Sequence, residues 1–190
     1  MNIKTNKFLM VYNLLGIALC LIGNIYLIVI SEFSPLLCVG ELFMLIAMVS
    51  ALLYIFSNYK KEGAMHLRRF LHFYAASELA SILYIVNLGD PVKSISIASL
   101  KIVIFGLLLI LSSTENLGKE KSLLFIRTIL VVNLLMLVMI LLLNHGMIRN
   151  GDLGSTTLLV CIGSNFTLSM SALLCIYAKY LDKENRGRKN

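Results

Sequence analysis

The chain has 190 residues, of which 58% are hydrophobic and only 14% charged, and its formal net charge is +7. A soluble domain carries about 25% charged residues, so this composition excludes an ordinary soluble core and points to hydrocarbon as the surrounding medium. The positive balance does not point to nucleic acid, because the basic residues cluster at the ends of apolar runs, where membrane orientation places them.

A spanning helix needs about 20 apolar residues, since it rises about 1.5 Å per residue through a slab about 30 Å thick. Six runs meet that need, which predicts an all-α polytopic membrane protein forming one domain over 1–190. The first helix is expected at 8–30. Lys4 and Lys7 before it look like the start of a signal peptide, but the run exceeds a signal core of about 7–15 residues. The segment Ile17-Ala18-Leu19-Cys20 also places the large Leu19 where lipoprotein processing wants a small residue, so a retained helix is expected. The second helix is expected at 35–56, the third at 70–88 and the fourth at 91–111. Pro35 and Pro91 open the second and fourth, because a missing N–H costs nothing at the first helical position. Ser34 and Asp90 precede them as candidate caps. The fifth and sixth helices are expected at 122–143 and 156–178.

The connectors alternate in charge. Fourteen of the 17 Lys and Arg residues fall in the two tails, in the second and fourth connectors or at the adjoining helix ends; Lys93 and Arg149 lie on the opposite side. This asymmetry predicts that both termini face the cytoplasm, in a cell inner membrane, with six crossings grouped as three outward-turned hairpins.

Charges within spanning segments are rare, because each costs at least ~2.5–3.5 kcal/mol in hydrocarbon. Three occur here: Glu41, Glu78 and Lys101. Glu78 lies ten residues before Leu88, and Lys101 lies ten after Pro91. Both are therefore about 15 Å deep on consecutive helices joined by a tight turn, and an ion pair between them is expected. By the same count Asn24 and Glu41 lie level with each other, about 9 Å deep. Lys101 is long enough to reach toward Glu41 as well. In the third hairpin Asn133 lies level with Asn165 and Thr167. Glu41, Glu78, Lys101, Asn24, Asn133, Asn165 and Thr167 are thus the expected lining of a polar cavity open to the outside. If all three charged residues ionise, the set carries one net negative charge and suits a cation, a proton or an amine-bearing solute. The competing reading is a buried structural ion pair, with the Asn side chains holding helices together.

Small-residue rows occur at Gly163, Thr167 and Ser171, at Ala76 and Ala80, and at Ala47 and Ala51. They are expected as packing seams, since small side chains let backbones approach. The eight Tyr residues, Tyr54 and Tyr74 among them, are expected mostly at the membrane interfaces as an aromatic belt. The four Cys residues lie in apolar runs without C-x-x-C spacing, and His66, His72 and His145 fall at different depths. No metal site and no cofactor are expected from them. Catalysis is not expected either. Ser164 has no nucleophile-elbow pattern and no His at its depth, and paired carboxylates and phosphate loops are lacking.

These features favour a carrier, or the substrate-binding subunit of a carrier, for a small polar or cationic solute. The alternative is a non-catalytic partner or immunity-type subunit. It would dock on another membrane protein through small-residue faces and a basic cytoplasmic surface. In size and in its six-crossing plan with both ends inside, the chain is similar to the substrate-capturing subunits of vitamin uptake transporters. That likeness is one of architecture and rests on no motif.

Overall fold

The computed structural model describes residues 3–29, 34–57, 61–87, 91–113, 117–143, 145 and 153–187. Six long α-helices account for nearly all of them. They are α1 (Ile3–Val29), α2 (Pro35–Phe56), α3 (Lys61–Val86), α4 (Pro91–Ser113), α5 (Lys119–Leu143) and α6 (Leu153–Gly187). Chains this apolar become helical because each backbone N–H and C=O then finds its partner within the segment, without water. Three stretches are long and apolar enough to cross a membrane: Pro35–Phe56, Ser94–Ser113 and Lys119–Leu143. The described residues are accordingly all-helical, and three of their helices are compatible with a membrane location. α3 is less apolar because Arg68, Arg69, His72 and Glu78 all lie along it.

Every helix but α2 is longer than its expected apolar run, α3 and α6 the most. α3 begins at Lys61 rather than at 70, so the basic second connector is largely helical. Its Leu67 is buried in the core, and its Gly63 packs beside Tyr54 and Ser57 of the preceding helix end. Packing as well as local propensity holds this turn. α6 continues to Gly187, past the expected end at 178. Pro35 opens α2 as expected, and the Ser34 carbonyl accepts the first helical bond from the Cys38 N–H at 3.1 Å. The Ser34 side chain makes no capping bond, so the backbone and the proline ring set this start. Asp90 lies outside the described residues.

Consecutive helices run antiparallel. On α3 and α4, Glu78 meets Lys101, and Arg68 Nε donates to the Ser112 carbonyl at 3.0 Å. On α5 and α6, Asn133 meets Ser169, and Ser122 meets Tyr180. The contacts join each expected hairpin pair and also cross between pairs. The most extensive of them joins α2 to α3, across two expected hairpins, and α6 returns against α1. The six helices thus close into a ring, and α6 also touches α2 and α3 through its interior. The α2–α3 seam is close because Gly40 faces Ala80 and the Ser77 carbonyl; a Cβ there would sit 3.5 Å and 3.6 Å from them. Ala47 and Ala51 on the same helix are fully buried.

The buried apolar side chains form two clusters at opposite ends of the ring. The larger occupies the end where the chain begins, the near end. It draws on Leu9, Tyr54, Phe70, Leu111, Leu123 and Ala178, among others, and so on all six helices. The second lies at the far end and holds Ile82, Ile85, Ile97, Ala98, Met136, Ile140 and Ile162.

Candidate functional site

Between the two clusters lies a polar layer, and the sequence spacing creates it. On α3, Ala75 belongs to the near cluster and Ile82 to the far one; Ser77, Glu78 and Ser81 are buried between them. On α4, Lys101 lies between Ala98 and Ile104. On α5, Asn133 lies between Ile129 and Met136. On α6, Ser164 and Asn165 lie between Ile162 and Leu168. Four helices thus interrupt their apolar stripe at one level.

The charged part of the layer is the expected ion pair. Lys101 Nζ donates to Glu78 Oε2 at 2.8 Å. Glu78 is 0% and Lys101 4% exposed, so both charges are enclosed. Their mutual attraction offsets a desolvation cost that neither could bear alone. Glu41, on α2 beside the Gly40 seam, is likewise buried. All three charged side chains are thus buried, with apolar clusters on either side of their level.

The neutral part joins α3, α5 and α6. Asn133 Nδ2 donates to Ser169 Oγ at 2.6 Å and to the Tyr74 hydroxyl at 3.4 Å. Tyr74 and Ser169 share a short hydroxyl–hydroxyl bond, and Ser169 Oγ donates to the Asn165 carbonyl at 3.0 Å. All four residues are fully buried. Tyr74 lies one helical turn before Glu78, so the two parts share one face of α3.

Asn133 and Asn165 are joined through Ser169 Oγ, which accepts from the Asn133 side chain and donates to the Asn165 carbonyl. Thr167 does not join them. Its hydroxyl donates to the Gly163 carbonyl of its own helix at 2.9 Å, and its backbone carbonyl accepts a bond from Tyr12 of α1. It faces α1 instead of the Asn pair. Asn24 lies on α1, and its side chain is outside the described residues. Tyr74 and Ser169 are members the sequence reading missed. Tyr54 and Tyr74 belong to the set of tyrosines expected mostly at the interfaces, and both side chains turn into the bundle. They are fully buried in the near cluster, with the Tyr54 hydroxyl donating to the Cys175 carbonyl. The usable signal was spacing: Tyr74 and Glu78 are four residues apart, on one helix face.

Several buried oxygens in the layer have no hydrogen-bond partner among the described residues: Ser77 Oγ, Glu78 Oε1 and Asn133 Oδ1. Such atoms are uncommon, since an unmet buried polar group costs about 1–3 kcal/mol. Among the described residues no group of three His, Cys, Asp or Glu side chains is placed to hold a metal ion. No family model matches the chain, and comparison with curated proteins and with solved structures likewise finds no match.

Proposed function

We propose that the chain is a six-span membrane carrier, or the substrate-binding subunit of one, in a closed state. The solute is small and polar or cationic, and its site is the layer around Glu78 and Lys101. One observation carries this reading: a buried ion pair, at mid-helix and between two apolar clusters, whose second carboxylate oxygen has no partner among the described residues. Charged groups inside the membrane are costly and mark solute paths more often than packing. The apolar clusters act as two gates. Opening either one gives access to the layer from one side, as alternating access requires. In the empty state Lys101 neutralises Glu78, and solute binding separates them. The charge asymmetry of the connectors supports cytoplasmic termini, so the near end faces the cytoplasm.

The enclosure of the pair also favours a second reading, a non-transporting partner subunit in which Glu78 and Lys101 only fix the helices. Solute uptake or binding by the purified protein in vesicles separates the two. The carrier reading expects Glu78→Gln and Lys101→Met to abolish uptake while the protein still inserts and folds. Wild-type uptake in both variants, or a fixed membrane partner that co-purifies whether or not the pair is intact, removes it.

A further inference from the structure

We infer that the solute is a small zwitterion, carrying one ammonium and one carboxylate, and that it enters by parting Glu78 from Lys101. The inference rests on the carrier reading and narrows its substrate class.

The ion pair leaves bonding capacity on both of its members. Glu78 uses Oε2, and Oε1 has no partner among the described residues. Lys101 has three N–H donors, and among the described residues it has one acceptor, Glu78 Oε2 at 2.8 Å. One side of the pair therefore lacks a donor, and the other lacks acceptors. Ser77 Oγ and Asn133 Oδ1 are further buried acceptors of the same layer without partners among the described residues.

Three kinds of solute can be weighed against this arrangement. A lone cation satisfies the carboxylate and Asn133, but it comes up against the Lys101 ammonium. A lone anion satisfies Lys101 and meets the same repulsion from Glu78. Either also unbalances the Glu78–Lys101 pair itself, inside a buried layer where an unmatched charge is least tolerated. A zwitterion avoids both costs. Its ammonium takes the place of Lys101 on Glu78, and its carboxylate takes the place of Glu78 on Lys101. One charge-assisted contact becomes two, and the pair with its solute stays neutral throughout. Glu78 and Lys101 touch directly, on adjacent helices, so the solute that parts them is compact, with its two charges a few atoms apart.

Binding is tested on the purified full chain in lipid nanodiscs, by calorimetry and by thermal shift, at constant ionic strength. The probes are a panel of α-amino acids with β-alanine and betaine, methylammonium chloride alone, and sodium acetate alone. The expected result is binding by at least one zwitterion bearing a free ammonium, with none by methylammonium or acetate. Glu78→Gln and Lys101→Met each weaken that binding by roughly tenfold or more, since each removes one charge-assisted contact. If a single variant fails to fold, the double variant Glu78→Gln/Lys101→Gln, which leaves no lone charge, takes its place with the same expected loss. Binding of methylammonium alone, blocked by Glu78→Gln, overturns the zwitterion while leaving the carrier reading in place. Absence of binding by every probe overturns the zwitterion too; only the uptake experiment above then decides the carrier reading.

Discussion

At Lys101 a single bond of 2.8 Å holds an ammonium at mid-span, and everything within reach of it matters to its cost. Removing one partner of a buried ion pair leaves an uncompensated charge, at about 3–5 kcal/mol. Replacing both with apolar groups is far milder. Lys101→Met alone is therefore expected to lower the unfolding midpoint in detergent sharply. The double variant Glu78→Met/Lys101→Met should recover most of that loss. Equal losses in single and double variants would show that the pair does not couple. The neutral network is a smaller matter, because bonds between membrane helices average about 0.6 kcal/mol. Tyr74→Phe should cost about 1 kcal/mol in the same measurement, since it strips a hydroxyl from Asn133 and Ser169 without opening a cavity. The pair was legible in the sequence because a tight turn gives both residues a common origin for counting depth. Tyr74 was not, because a tyrosine's general preference for interfaces does not reveal that its hydroxyl will meet Asn133 and Ser169 on two other helices.

α2 and α3 pack against each other where Gly40 faces Ala80. A methyl group at Gly40 would make ordinary contacts at 3.5 Å and beyond, and a branched side chain would not fit. Gly40→Ala should leave folding and monodispersity unchanged. Gly40→Leu should push α3 off α2 and lower stability by about 1–3 kcal/mol, the usual cost of overpacking. Equal behaviour of the two variants would mean the seam is looser than described. Helix existence and order were legible because apolar runs of spanning length separated by polar connectors have few other solutions. Full lengths were not, above all those of α3 and α6. Their extra turns are polar, and polar helix outside hydrocarbon leaves no hydropathy signal. Tertiary contacts such as Leu67 in the core decide it. The failure of Ser34 to cap with its side chain is likewise invisible in sequence, because Ser-Pro gives a helix start either way.

The whole ring places apolar clusters at its two ends with a polar layer between them, and this order was only half readable. Matched depths showed that polar residues share a level. They did not show which helices bury that level, because burial depends on which helices neighbour which. The strong α2–α3 contact and the return of α6 to α1 are properties of packing, and small-residue rows specify close approach without naming the partner. The proposed orientation makes a separate prediction. In intact cells an impermeant thiol reagent should label a cysteine placed at His145, at the far end, and should reach one at Met65 only after permeabilisation; both positions are exposed. The reverse pattern would invert the topology.

The sharpest measurement asks whether the closed layer opens. Ser77 is fully buried beside Glu78, and cysteine there changes one atom of the side chain. With Cys20, Cys38, Cys161 and Cys175 replaced, Ser77→Cys should react slowly with a hydrophilic thiol reagent in sealed vesicles. Solute should protect it, and Lys101→Met should change its rate. A Ser77→Cys thiol that stays inert on every timescale tested, while the cysteine at His145 labels at once, would mean that the layer is static packing and that nothing passes through it.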